Sequence, residues 1–466
     1  MTTTQSLSGS PSPSQSVRPS KKFSDGKTQD SIGPTVELRI GWMPQDPAVV
    51  NRWLSKKIEQ AGEKDEPFAE VIQKFQKFIE NDASILILFQ QMFNQVPTTP
   101  PYDKDTWGNP SVSIVGCVLV SKFAHHLYKV RDYKTMLRLF NSLLTEAPIF
   151  TSKHASLAFP INAILQWPMG TPAGKALFQI PSVNEQFCNV LNERGKYLSS
   201  PASAHVLNTE PGGWLSDEAL KAMGGFTDDF IHDTSKPHWG FTSWDDFFTR
   251  RFKEGIRPVP APYDSRIVTN PCEGGVYNIA HNVLEHDTFW IKENAYSLAD
   301  MLANHEFVTK FVGGTVYQTW LSALSYHRWH SPVTGTVVDI DFVPGTYYSS
   351  SPTVGMSPLA LRNSQGYLTS VATRVNIYMH ADNPDIGLIC FMGVGMAEVS
   401  SVEVQVKKGE RIIQGQETGM FHFGGSTSCL IFRPETKIKF MEDVDSKVGD
   451  MANIIKVNTP IGCIEA

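Results

Sequence analysis

Cysteine is scarce and scattered in this chain. Cys117, Cys188, Cys272, Cys390, Cys429 and Cys463 are the whole complement of 466 residues, and no two stand in a C-x-x-C spacing. That excludes a disulfide-stapled scaffold and a zinc ribbon, and it predicts reduced, mostly buried thiols of an intracellular protein. Long apolar runs are missing as well. The strongest, Ile85-Leu86-Ile87-Leu88-Phe89, meets Gln90 and Gln91 far short of the ~18 residues a bilayer requires. No integral membrane segment is therefore predicted, nor a basic amphipathic helix of the kind that rests on a bilayer surface. Neither sign of charge dominates: 41 Lys+Arg face 47 Asp+Glu, for a formal net charge of -6. Such a balance offers nucleic acid no basic face. A secretory apolar core is absent too, and Pro11, Pro13 and Pro19 break the faint likeness of the first residues to a transit peptide. The expected location is cytoplasmic.

What is present suits a large soluble core, with 41% hydrophobic residues in a length that suggests two or three domains. Residues 1–33 are rich in Ser, Thr, Gln and Pro with few large apolar groups, so a disordered tail is expected. From about Asp46 to Lys253 the period is helical. Phe68, Val71, Ile72, Phe75, Phe78 and Ile79 fall on one stripe, Asn81 or Asp82 suits an N-cap, and Ser216 before Asp217 and Glu218 suits another. Beyond Pro258 the pattern changes to short alternating strands, as in Val337–Val343, Val375–Met379 and Gly387–Phe391. Val402, Val404 and Val406, followed by Gly409, Gly415 and Gly419, suggest a lipoyl-like half-barrel. The fold class predicted is α+β: a helical N-terminal domain over 34–240 and a β-rich domain over 241–466.

The most informative stretch is Thr418-Gly419-Met420-Phe421-His422-Phe423-Gly424-Gly425-Ser426-Thr427-Ser428. Two glycines without Cβ give the backbone turn geometries closed to other residues, and the Ser426 hydroxyl can then reach the Gly425 carbonyl carbon. Attack there turns the amide into an ester. β-Elimination of the ester leaves dehydroalanine at 426, and hydrolysis of its imine form leaves a pyruvoyl group on a new N-terminus. The same residues also suit a Gly-rich hairpin turn. A serine-hydrolase elbow is excluded, because G-x-S-x-G needs glycine where Ser428 stands.

A second motif, Tyr326-His327-Arg328-Trp329-His330-Ser331-Pro332, supplies the base that such a cut needs. Zinc at His327 and His330 is not expected, since neither H-E-x-x-H nor C-x-x-C is there to complete a site. In Asn270-Pro271-Cys272-Glu273-Gly274-Gly275 a carboxylate follows the apolar pair Ile267-Val268. Glu273 there suits an exposed turn, or the acid that orients a histidine.

Together these segments resemble the pyruvoyl-dependent phosphatidylserine decarboxylase family from about Phe241 to the C-terminus. The likeness includes Trp244 through Lys253, Ile256-Arg257-Pro258, Ile291 through Leu298, and Val394-Gly395-Met396. It implies cleavage between Gly425 and Ser426, Ser426 as pyruvoyl precursor, His330 as base, and His327 near the substrate carboxylate. Glu273 matches the family's triad acid, which is usually Asp. The cofactor implied is the pyruvoyl formed from Ser426, which makes PLP unnecessary: its ketone forms a Schiff base with the substrate amine and takes up the electrons that carbon dioxide leaves behind.

Within the family, Val343-Pro344-Gly345-Thr346-Tyr347 and the N-terminal helical region resemble a fungal branch acting on free L-tryptophan in secondary metabolism. The expected partner is thus a small amino acid, with the two fragments remaining associated and homo-oligomerisation open. Two alternatives stand beside it. One is phosphatidylserine as substrate, giving phosphatidylethanolamine. The other is a non-enzymatic carrier module with a modified Lys407 or Lys408.

Overall fold

The computed structural model describes residues 47–63, 66–96, 129–150, 159–287, 296–351, 364–399, 401–423, 426–450 and 452–465. The expected tail over 1–33, Cys117, Gly424 and Gly425 lie outside these residues.

Helices dominate up to Phe248. The predicted stripe forms the helix Glu70–Asn81, with Ile72, Phe75 and Ile79 buried on one side. Phe68 lies just before it, half-buried, and Val71 and Phe78 are half-buried at the rim of the stripe. Asp82, and not Asn81, caps the next helix Ala83–Asn94: its carboxylate accepts from Ser84 N at 2.8 Å and Ile85 N at 3.1 Å. Ser216 caps Asp217–Met223 through Ala219 N. Phe75 joins three helices, meeting Phe89 at 5.9 Å and Phe187 of the helix Pro181–Leu198 at 5.2 Å, both edge to face.

From residue 267 the chain forms strands β1 (Ile267–Thr269), β2 (Gly274–His281), β3 (Thr315–Leu321), β4 (Arg328–His330), β5 (Gly335–Val343), β6 (Arg374–Ala381) and β7 (Leu388–Gly395). They are followed by β8 (Ser401–Val404), β9 (Arg411–Ile412), β10 (Glu417–His422), β11 (Ser426–Phe432), β12 (Ile438–Phe440), β13 (Ile454–Ile455) and β14 (Pro460–Ile464). Among the described residues these make an antiparallel sheet in the order β13-β2-β3-β11-β7-β6-β5-β9 and two small sheets, β4-β10-β8 and β1-β14-β12. Central strands β7 and β11 are buried at every position, so both faces of the sheet are covered there. That is why their sequences read as continuous apolar and small-residue runs instead of alternating ones.

β10, which ends at His422, belongs to the small sheet, and β11, which begins at Ser426, lies in the middle of the large one. The two sheets are pinned together by Trp329, whose ring packs 4.8 Å from Phe421 and 5.1 Å from Phe391. It lies where a side chain at two glycines would stand: a Cβ on Gly419 would come within 2.7 Å of the ring and one on Gly393 within 3.0 Å. Lys408 is ion-paired with Asp339.

Candidate active site

Ser426 opens β11, with Leu321 of β3 on one side and Gly395 of β7 on the other. The next residues fasten this end of the strand. Thr427 Oγ1 donates to the Thr319 carbonyl at 2.7 Å and accepts from Gln318 Nε2 at 2.9 Å, and the Ser428 and Thr319 hydroxyls are bonded at 2.7 Å. Ser426 differs from both. It is fully buried, and among the described residues its Oγ has no hydrogen-bond partner. A hydroxyl left unclaimed at the head of a rigid strand, one residue after Gly425, fits the requirement of a nucleophile for the preceding carbonyl.

His330 lies in β4, opposite Glu417 of β10. Its Nδ1 lies 2.8 Å from the Gly415 carbonyl oxygen, which only accepts, so the proton is on Nδ1. Nε2 therefore keeps a lone pair and accepts from the Tyr326 hydroxyl at 2.8 Å. Burial lowers the His330 pKa, with the Gly415 bond and the Glu417 and Glu273 charges opposing it in part. The ring is the neutral tautomer of a base. Its described contacts lead to Tyr326 and Gly415, with none to Ser426.

His327 stands nearer to the end of β10: its carbonyl accepts from Phe421 N at 2.9 Å. The ring is fully buried and stacked on Phe248 with centroids 3.8 Å apart. Burial holds its pKa well below the ordinary value, and the nearby Arg250 charge lowers it further. Backbone groups of Phe248 and Ser322 offset part of that shift, yet neither ring nitrogen makes a hydrogen bond of ordinary geometry. An open cleft of about 500 Å³ lies beside this motif, lined by Trp239, Asp246, Arg250 and Arg328 among others.

Glu273 is no exposed turn residue. It is buried, and Arg257 grips both carboxylate oxygens at 3.0 Å. Arg257 also bonds Asp229 at 2.9 Å and lies over the Phe252 ring, and Val457 N donates to Glu273 Oε2 at 3.3 Å. The carboxylate acts on His330 through its charge, without a described hydrogen bond. The Ile256-Arg257-Pro258 segment named Arg257, but spacing alone does not disclose whom it pairs with.

Sequence reasoning also missed the pair His422–Asp245, with Nδ1 at 2.9 and 3.0 Å from the two carboxylate oxygens. It ties the Trp244–Phe248 helix to the end of β10. Among the described residues no group of three or more His, Cys, Asp or Glu side chains is placed to hold a metal ion. No described helix is long and apolar enough to cross a membrane. Cys272, Cys390 and Cys429 are buried thiols, and burial pushes Cys272 up to about 12, so none is a ready nucleophile.

Two family models, both described as phosphatidylserine decarboxylase, match residues 69–223 and 244–454. Among curated proteins, the chain is 42% identical over 322 residues to "Decarboxylase iboD" of Amanita muscaria, an alignment spanning 64% of this chain and 92% of that one. It is 30% identical over 464 residues to an L-tryptophan decarboxylase of Psilocybe cubensis, covering 94% of this chain and 97% of the relative. A phosphatidylserine decarboxylase proenzyme 3 of Schizosaccharomyces pombe is 29% identical over 251 residues, 53% of this chain and 25% of the relative.

Proposed function

The chain belongs to the phosphatidylserine decarboxylase family and is an autocatalytically processed decarboxylase, and from that premise we propose that it converts a free aromatic L-amino acid, L-tryptophan first, to its amine and carbon dioxide. The observation that carries this reading is the unclaimed, buried Ser426 hydroxyl at the head of β11. A pyruvoyl group formed there supplies a ketone that holds the substrate amine and an electron sink for decarboxylation.

The chain's own residues do the rest. Ser426 Oγ attacks the Gly425 carbonyl. His330 Nε2, its lone pair fixed by the Nδ1–H bond to Gly415, takes the proton once Tyr326 turns aside. Glu273 stabilises the imidazolium through its charge. His327, neutral and stacked on Phe248, faces the substrate carboxylate and holds the proton donor's place at the reacting carbon. One observation favours a second assignment of the base: His327 has both ring nitrogens unclaimed and stands closer along β10 to Ser426.

The cut would leave a second fragment of 466 − 425 = 41 residues, 426–466. β11 is laddered on both sides along its whole length, and β14 lies between β1 and β12. Such a fragment stays bound to the first.

L-Tryptophan is preferred to phosphatidylserine because the likeness to the L-tryptophan decarboxylase spans 94% of the chain, helical region included. Full burial of an indole removes on the order of 150–250 Å² from water, ~4–6 kcal/mol of binding, enough to select a free aromatic amino acid. Phosphatidylserine is the second reading, favoured by the descriptions of both family models. Product analysis after incubation with L-tryptophan, L-tyrosine, L-phenylalanine and phosphatidylserine liposomes tests it: tryptamine without lipid or added PLP is expected, and product from liposomes alone would refute the substrate.

A further inference from the structure

Beyond Gly395, the partner of Ser426, the chain does not continue as a strand. Ala397 takes a left-handed φ of 54°, its N–H bonding the Tyr347 carbonyl, and the turn carries Glu398 inward among residues of the helical region. Glu398 Oε1 accepts from Ile161 N at 2.6 Å and Asn162 N at 3.1 Å. Its other oxygen, Oε2, is buried with no hydrogen-bond partner among the described residues. The same holds for both amide atoms of Asn162, the Tyr348 hydroxyl and Arg194 Nε. All four residues are buried, and Glu398, Arg194 and Tyr348 act on one another through their charges.

Buried polar groups are nearly always bonded, because leaving one unpaired forfeits its hydration. Five unpaired atoms gathered from four segments are therefore a feature to explain. Their place in the fold explains it. Glu398 follows Gly395 by three residues, at most about 11 Å of chain. On the helical side, Gly195, next to Arg194, is pressed against Phe423, whose ring a Cβ at 195 would approach within 3.2 Å. Glu398 is thus three residues from the strand partner of Ser426, and Arg194 is next to the glycine that meets Phe423.

We propose that Glu398, with Asn162 and Tyr348, forms the subsite that takes the polar end of the substrate's aromatic side chain, Glu398 Oε2 accepting a hydrogen bond from its ring N–H. This rests on the aromatic amino-acid reading given above and adds what sets the choice among such substrates. The helical region is then part of the substrate site as well as a cover for the β-domain. Glu398 is a specificity residue, remote from the bond that breaks.

Glu398→Gln tests this without removing the fold's contacts. Its Oε1 still serves Ile161 N and Asn162 N, which leaves the amide NH₂ where Oε2 was, a donor facing a donor. kcat/KM is measured at pH 8, where the Glu398 carboxyl is ionised and Oε2 accepts, on the self-cleaved protein for L-tryptophan and for 3-(benzothiophen-3-yl)-L-alanine, which keeps the ring shape and lacks the N–H. Wild type is expected to favour L-tryptophan by about 10²-fold or more, and Glu398→Gln to bring the ratio near one. A purely structural role would slow both substrates alike and leave the ratio unmoved, which would overturn the proposal. Equal use of both substrates by the wild type overturns this subsite alone. No amine from either overturns the substrate reading and the subsite with it.

Discussion

Replacing Glu398 by glutamine is expected to stabilise the folded protein at pH 8 and to change it little near pH 4.5. Two effects oppose each other at this carboxyl. Burial disfavours its charged form; Arg194 and the N–H groups of Asn162 and Ile161 favour it. Burial wins, and the pKa is pushed from its ordinary 4.5 up to about 7. The folded protein therefore keeps a proton that the unfolded chain has released between those values. The stability this gives is full below 4.5 and lost as pH rises through 7. Its size is roughly 3 kcal/mol, at about 1.4 kcal/mol for each tenfold change in proton affinity. Glutamine mimics the protonated form and does not titrate, so the difference between the proteins isolates this one group. Urea unfolding of both, from pH 4.5 to 8, should show the variant gaining about 3 kcal/mol on wild type across that range. If Glu398→Gln is instead less stable at pH 8, the carboxylate's attraction to Arg194 outweighs its desolvation and the reasoning is wrong.

Further outcomes follow from the same geometry. His330→Ala is expected to remain uncut by denaturing electrophoresis, whereas His327→Ala cuts but decarboxylates poorly; the reverse pattern would transfer the base role to His327. Glu273→Gln should slow self-cleavage less than His330→Ala does, because it loses charge but keeps an acceptor for Arg257. Arg257→Ala, which strands Glu273 and Asp229 without their cation, should cost ~3–5 kcal/mol in unfolding measurements. Phe75→Ala should cost ~3–5 kcal/mol by the same measurement, since the ring is fully buried among Phe78, Phe89 and Phe187.

Local patterns were legible where local physics decides them. The Phe75 stripe, the Asp82 and Ser216 caps and the alternating strand β5 all follow from periodicity and short-range hydrogen bonding. Ser426 stood out through its Gly-Gly neighbours, whereas its place at the buried start of β11 was not signalled. What the sequence could not disclose is pairing across distance. Arg257, at a left-handed φ of 60°, reaches Glu273 sixteen residues on, and Tyr326 reaches His330 from before β4; neither pairing is signalled by the residues around it. The Glu398 cluster is the extreme case. Glu398 and Asn162 are 236 residues apart, and nothing near either of them signals the other.

The central claim, that this chain makes its own cofactor at residue 426, is tested most directly by intact mass of the purified protein with and without substrate plus borohydride. The account predicts fragments 1–425 and 426–466, the second with a blocked N-terminus and gaining the mass of a reduced substrate adduct at residue 426. A single uncut chain that retains decarboxylase activity would contradict it.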